Sequence, residues 1–312
     1  MGWPATTRAR IAPFACALTL LACLLGTGGA GAAAGHSRSH VWQPRPGTTW
    51  QWQIVGRIGR IRNVQMYDVD LQDAVPSARR VRVRGLGSAR WPKGVNAGIV
   101  GRLHSRGIVA ICYLDSGAWE RYRPDAGLFP SAVIGHSTGW SGERWLDLRR
   151  SAWSRFAPII WARLSLARAI GCDGVEPDEN NPIGNHPGFP ISRRTEARWY
   201  LKVAREAHAR GLSVGMKNGV EVLGRRMARV FDWSLNEECF FYNECGRERP
   251  FIEAGKAVFQ SEYTDDWKHR GLSSLASVAH RVCPGSLGLR FSTLVKRHVP
   301  NASFRPCRAS RH

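Results

Sequence analysis

The sequence predicts an α/β protein built as a single (β/α)8 barrel, the TIM-barrel architecture. Three observations carry this expectation. Eight short apolar, β-rich runs recur after residue 48, helical segments stand between most of them, and six of the runs end in polar side chains. Strands that alternate with helices pair in parallel, and eight such units close into a barrel whose site gathers at the strand exits.

The runs are Thr49 to Ile54, Val64 to Val69, Ile108 to Tyr113, Gly174 to Asp178, Leu212 to Lys217, Phe231 to Asn236, Ala257 to Tyr263 and Leu287 to Leu294. Two of the preceding helices end at glycine, in Leu103-His104-Ser105-Arg106-Gly107 and Ala207-His208-Ala209-Arg210-Gly211, where glycine supplies a left-handed cap before the chain turns into a strand. Trp153 to Ile170 and Arg193 to Arg210 have helical length, and Ala197, Leu201, Ala204 and Ala207 recur at core-facing intervals. No helix separates the first two runs, and Leu114 to Leu148 is a long decorated connection after strand 3. Long connections at strand exits are where a barrel builds its site.

The N-terminus reads as a processing segment. Arg8 and Arg10 precede an apolar run from Ile11 to Leu25, and small residues around 30 to 34 offer cleavage sites, so residues 1–34 form a signal peptide and the mature chain is secreted. The run is shorter than the roughly 20 residues a membrane-spanning helix needs. Leu20-Leu21-Ala22-Cys23 also reads as a lipobox, which would anchor the protein through Cys23. Residues 35–48 are polar and rich in Pro and Gly, a flexible leader before a barrel domain at 49–312.

Export permits disulfides. Cys239 and Cys245 flank a short loop and Cys283 and Cys307 bracket the C-terminal segment, so these are the expected pairs; Cys112 and Cys172 are expected as buried free thiols. No Cys-x2-Cys spacing occurs and the His residues are scattered, so no zinc site and no cofactor is expected. The formal net charge is +21, or +19 for residues 35 to 312. Such a field attracts polyanions and repels polycations. The arginines are dispersed over helix faces outside any nucleic-acid motif, so specific nucleic-acid binding is not expected.

At the strand exits the chemistry concentrates. Strand 2 ends in Asp68 and Asp70, strand 3 in Tyr113 and Asp115, strand 4 in Glu176 and Asp178, strand 5 in Lys217 and Asn218, strand 6 in Asn236 and Glu237, and strand 7 in Glu262 and Tyr263. Period-two alternation puts Glu176 and Asp178 on one face. With Asp173, strand 4 packs three carboxylates into six residues, which is costly unless a ligand, metal or reaction needs them. Two carboxylates from two strand ends are the minimum equipment for hydrolysing a glycosidic bond. The same acids also fit solvated loops, a non-catalytic glycan cleft, or a divalent-cation site formed by Asp173, Glu176, Asp178 and Glu179. Trp119, Trp140 and Trp145, in the long connection, suit either sugar stacking or packing.

From Trp50 to Tyr263 the chain resembles glycoside hydrolase family 114, the endo-α-1,4-polygalactosaminidase-like barrels. The resemblance rests on Trp50-Gln51-Trp52-Gln53, Tyr67-Asp68-Val69-Asp70, Cys112-Tyr113, Arg123-Pro124-Asp125, Trp145-Leu146-Asp147-Leu148-Arg149, Asp173-Gly174-Val175-Glu176-Pro177-Asp178, Lys217-Asn218, Asn236-Glu237-Glu238-Cys239 and Glu262-Tyr263, in that order. It departs from the family pattern at Cys172, Glu238 and Asn181. The resemblance implies that Asp178 is the nucleophile and Glu237 the general acid/base of a retaining, endo-acting enzyme on α-linked galactosaminan-type polysaccharide. Asp70, Tyr113, Asp115, Asp173, Glu176, Lys217, Asn218, Asn236, Glu262 and Tyr263 are then expected to bind substrate, with Glu176 a second candidate for the nucleophile. Lys217 and Asn218 are expected to keep Asp178 ionised, and Asp178 and Glu176 to raise the pKa of Glu237. The net charge repels a deacetylated, cationic polymer, which leaves N-acetylated, neutral or anionic polysaccharides open.

Overall fold

The computed structural model describes residues Val41–Arg308. Eight parallel strands follow one another in chain order: β1 (Trp50–Gln53), β2 (Met66–Asp70), β3 (Val109–Asp115), β4 (Gly174–Asp178), β5 (Ser213–Lys217), β6 (Trp233–Glu237), β7 (Val258–Tyr263) and β8 (Ser292–Lys296). Each pairs in parallel with the next, from Trp50 opposite Met66 through Tyr263 opposite Lys296. The seam between β8 and β1 is bridged by Trp50 Nε1, which donates to the Ser292 carbonyl at 2.7 Å. This is the expected (β/α)8 barrel.

Two apolar layers hold it. Inside the barrel, Trp50, Trp52, Met66, Ile111, Trp233, Leu235, Phe259 and Leu294 form one buried cluster. Between strands and helices, a larger cluster includes Val69, Cys112, Val175, Val214 and Met216 on the strands, with Phe156, Ile160, Leu164, Trp199, Val203 and Ala204 from the helices Trp153–Ala169 and Arg193–His208. Both expected glycine caps have left-handed backbone, Gly107 at φ 67° and Gly211 at φ 70°. The long connection after β3 carries a three-stranded antiparallel sheet, Ala118–Glu120, Glu143–Leu146 and Ile134–Ser137, and a hairpin of Arg79–Val83 with Gly87–Trp91 decorates the connection after β2.

Three expectations need correction. The eighth strand starts at Ser292 rather than Leu287, because the helix Leu275–Gly288 runs through Leu287 and ends only where Arg290 turns left-handed at φ 61°. Cys112 and Cys172 are bridged rather than free: β3 and β4 are adjacent, and the residue ahead of Asp173 lies beside Cys112 with the two Cα atoms 6.0 Å apart. The end of the leader is fixed on the barrel, since Gln43 donates to Asp232 and the Pro44 carbonyl accepts from Ala257. Cys239–Cys245 and Cys283–Cys307 pair as expected. The signal peptide, 1–34, and Cys23 lie outside the described residues. Among the described residues, no helix is long and apolar enough to cross a membrane.

Candidate active site

The barrel mouth is organised around one buried ammonium. Lys217, the last residue of β5 and 1% exposed, places Nζ 2.7 Å from Glu176 Oε1, 2.9 Å from Asp178 Oδ2 and 3.2 Å from Glu237 Oε2. The residues come from β4, β5 and β6, so neighbouring strand exits in a parallel sheet suffice to assemble them. Burial lowers the pKa of Lys217, but the Asp178, Glu176 and Glu237 carboxylates outweigh burial and hold it well above the usual lysine range. The ammonium also sits 4.6 Å from the centre of the Trp52 ring, and the Trp52 indole donates to Glu176 Oε2 at 3.0 Å. Glu176, fully buried, is thereby fixed beneath the cleft. Burial pushes its pKa up to about 7 against the pull of Lys217.

Asp178 and Glu237 face the open space. Both line a cleft of about 430 Å³ together with Trp52, Asp70, Tyr113, Tyr122, Arg123, Trp140, Glu143, Glu179, Tyr263 and His298. The backbone of Asp178 is clamped because Ser116 and Gly117 donate their amides to its carbonyl. Gly117 is required there: a Cβ would lie 1.7 Å from the Glu179 carbonyl oxygen. Glu237 accepts from the Asn218 amide at 2.9 Å and from the Tyr263 hydroxyl. Burial raises its pKa, but the Lys217 ammonium and the Tyr263 and Asn218 donors outweigh burial and hold it below the ordinary carboxyl value. The sequence leads one to expect a raised pKa for Glu237, and its three donors lower it instead. Asn218, expected to support Asp178, is bonded to Glu237.

Of the expected substrate contacts, Asp70, Tyr113 and Tyr263 line the main cleft, and Asn218 and Asn236 line an adjoining hollow that shares Glu237 with it. The others do not reach the cleft. Asp173 lies at the opposite end of β4, where it accepts from the Ala110 amide and pairs with His104; a strand of five residues separates its two ends too far for Asp173 and Asp178 to share a ligand. Asp115 sits behind Tyr113, whose hydroxyl donates to it at 2.8 Å. Glu262 is buried and accepts from Trp267 Nε1, the Phe240 amide and Gln260. Glu176 and Lys217 form the floor beneath Asp178 and Glu237. A divalent cation held jointly by Asp173, Glu176, Asp178 and Glu179 has no shared location, and the space between Glu176 and Asp178 is filled by Lys217.

Asp70 caps the short helix Leu71–Ala74 and pairs with Arg123 at 2.7 Å, which ties the decorated connection to the mouth. Asp147 pairs with Arg149 and orients that connection. Of the three tryptophans, Trp140 is half exposed and lines both cavities, Trp145 is buried, and Trp119 packs with its indole donating to the Ala126 carbonyl. Asp68, noted at the exit of β2 but given no role there, is fully buried, and burial and Glu176 push its pKa well up. His298 lies beyond the exit of β8, which the sequence places two residues early; Tyr122 comes from a loop and Glu143 from the small sheet in the connection after β3, where the barrel's strand pattern gives no signal.

Two solved structures and one family model match the chain. The Aspergillus fumigatus Ega3 crystal structure, a complex with galactosamine, aligns with TM-score 0.73 and 30% identity over 85% of this chain and 97% of that one. The glycoside hydrolase domain of PelA from Pseudomonas aeruginosa aligns with TM-score 0.57 and 12% identity over 82% of this chain and 97% of that one, a likeness of fold. No curated protein matches the chain. The family model for glycoside-hydrolase family GH114 matches residues 31–311. With a match over nearly the whole chain, and a solved relative sharing three residues in ten across most of it, the chain belongs to glycoside-hydrolase family GH114.

Proposed function

We propose that this protein is a secreted, endo-acting glycosidase that cleaves an α-linked galactosamine-containing polysaccharide with retention, using Asp178 as nucleophile and Glu237 as general acid/base. The observation that carries this reading is the shared ammonium. Lys217 Nζ lies 2.9 Å from Asp178 Oδ2 and 3.2 Å from Glu237 Oε2, so the two carboxyl groups flank one small space, as a pair that cleaves a glycosidic bond must. Retention follows the family reading, in which the second carboxylate attacks the sugar rather than activating a water. Asp178 attacks the anomeric carbon while the protonated Glu237 gives its proton to the departing oxygen; Glu237 then takes a proton from the water that releases the sugar from Asp178. Lys217, Tyr263 and Asn218 favour the carboxylate form of Glu237, which suits the second step. For the first, a sugar that excludes water from around Glu237 raises its pKa and favours uptake of a proton from solvent.

The cleft supports an amino-sugar substrate. Its walls carry Asp70, Asp73, Glu143, Asp178, Glu179 and Glu237, against Arg123, which is committed to Asp70 and Glu120. On a chain of +21 the mouth is lined chiefly by carboxyl groups. Beyond about 8 to 10 Å the surface cations are screened at ordinary salt, so the nearby acids govern what enters. The galactosamine bound to Ega3 agrees with a cationic sugar here. The test is product analysis on galactosamine-, galactose- and uronate-containing polymers, with Asp178→Asn and Glu237→Gln as controls. Cleavage of the galactosamine polymer alone, lost in both variants and unaffected by chelator, is expected. Activity that survives both substitutions would overturn the assignment.

A further inference from the structure

Beneath the cleft, a second pair of carboxyls lies sealed in the barrel. Asp68, on β2, and Glu176, on β4, are both fully buried and line neither the cleft nor the adjoining hollow. Two-residue alternation turns Asp68 to the same side as Met66, which packs inside the barrel, and Asp70, which lines the cleft. Its neighbour across the sheet on β1 is Trp52, whose indole donates to Glu176 Oε2 at 3.0 Å. Asp68 and Glu176 meet there, hydrogen-bonded carboxyl to carboxyl.

The donors around the pair are unevenly shared. Glu176 accepts from Lys217 Nζ at 2.7 Å and from Trp52 Nε1, one donor to each oxygen. Among the described residues, no amide, hydroxyl, indole or ammonium donates to either oxygen of Asp68. A hydrogen bond between two carboxyls needs a proton, and two bare carboxylates in contact would repel. That proton belongs on Asp68, because Glu176 has the donors that stabilise an anion and Asp68 has none. A buried carboxylate without a donor is costly, whereas a carboxylic acid in the same place gives its one O–H to Glu176. Burial and Glu176 push the pKa of Asp68 well up; of the other charges that reach it, Asp178 acts in the same direction and Lys217 in the opposite one. Burial also raises the pKa of Glu176, and the Lys217 ammonium and the Asp68 hydrogen bond pull it back to about 7.

We propose that Asp68 is a positioning residue that stays a carboxylic acid at neutral pH and donates to Glu176, so that Glu176 remains the anion holding Lys217 Nζ against Asp178 and Glu237. The contacts run from Asp68 through Glu176 to Lys217, and from its Nζ to Asp178 Oδ2 at 2.9 Å and Glu237 Oε2 at 3.2 Å. Without the Asp68 donor, Glu176 takes up a proton of its own more readily, and a neutral Glu176 no longer attracts the ammonium by charge. The inference rests on the glycosidase reading above and adds a buried acid that acts without touching the sugar.

Two substitutions and one spectrum test it. Asp68→Asn keeps a neutral donor beside Glu176, and Asp68→Leu removes the donor at similar volume. Asp68→Asn is expected to keep kcat on a galactosamine oligomer within about threefold of wild type, and Asp68→Leu to lower kcat about tenfold or more with KM changed less. Infrared difference spectra of wild type against Asp68→Asn at pH 8, read without reference to activity, are expected to show the carbonyl stretch of a protonated carboxylic acid that is present in wild type and missing in the variant. Wild-type kcat in a folded Asp68→Leu protein, a loss of kcat tenfold or deeper in Asp68→Asn, or the absence of that band each overturns the inference and leaves the glycosidase reading standing. If Asp68→Leu does not fold, the asparagine variant and the infrared band decide. A wild-type protein that cuts no galactosamine oligomer overturns both.

Discussion

Asn218 and Glu237 are clasped by two reciprocal hydrogen bonds, the Asn218 amide donating to Glu237 Oε2 and the Asn218 carbonyl oxygen accepting the Glu237 backbone N–H, each at 2.9 Å. Asn218 can close this clasp because it leaves β5 in left-handed backbone, φ 49°, a conformation asparagine tolerates better than most residues. One side chain thus fixes both the carboxylate and the backbone that carries it. Asn218→Gly keeps the backbone conformation and removes the clasp. Hydrogen bonds to charged groups are worth about 1.5 to 3 kcal/mol, so kcat should fall roughly 10- to 100-fold with KM changed much less. Steady-state kinetics on a defined oligomer checks this, and an unchanged kcat would show that Glu237 needs no such positioning.

Tyr263 makes the pH dependence testable. Its hydroxyl donates to Glu237 Oε1, and its own pKa is raised well above the usual phenol range by burial and then by Glu237, so it remains a donor at all working pH values. A donor to a carboxylate favours the ionised form and lowers its pKa. Removing it with Tyr263→Phe raises the pKa of Glu237. The alkaline limb of kcat/KM reports the group that must be protonated in the free enzyme. That limb should therefore move to higher pH in the phenylalanine variant. A limb that stays in place, or moves toward acid, would remove Glu237 from the role of proton donor.

The legible part of the molecule followed from periodicity. Seven of the eight strands are found where alternating apolar runs place them, because each strand needs one face in the barrel and the other against helices. The carboxylates at their exits follow for the same reason, and the Lys217 cluster is the sum of three such exits. What escaped is what periodicity does not encode. Asp173 was grouped with Asp178 because they are close in sequence, yet a strand carries its two ends apart. Asp115 and Glu262 sit at strand exits but behind another side chain, Tyr113 and Trp267 respectively, and sequence gives no depth coordinate. Cys112 and Cys172, 60 residues apart, become neighbours only through the β3–β4 pairing.

That bridge has a measurable consequence. It joins the two strands whose exits bear Tyr113 and Asp178, across a separation of 60 residues. Chain-entropy arguments give such a loop about 4 kcal/mol of stabilisation through the unfolded state. Replacing both cysteines with alanine should lower unfolding free energy in urea by about 2 to 4 kcal/mol. The Cys239–Cys245 loop of six residues is worth less on the same argument. A double variant at 112 and 172 as stable as the parent would mean that strand pairing alone fixes that region.

Buried acids set a stability profile opposite to that of proteins rich in surface ion pairs. Glu248 is fully buried beside the helix Arg249–Glu253, and burial pushes its pKa up to about 8. In the unfolded chain the same group titrates near 4.5. Between those two values the folded state holds a proton that the unfolded state has released, so stability falls as pH rises through the window and is unaffected by this group below it. Glu176 and Glu262, each at about 7, and Glu196, at about 8, contribute with the same sign. Lys296, lowered to about 7 by burial, acts in the opposite sense, but only as pH rises from about 7 toward its ordinary value of 10.5. The net expectation is a protein most stable in mild acid and losing stability from pH 5 to 7. Glu248→Gln stays neutral throughout, and should reduce the slope by up to about 1.4 kcal/mol per pH unit. Urea unfolding at pH 5, 6 and 7 measures both slopes; a parent protein that gains stability over this range would show these carboxyls to be ionised in the fold.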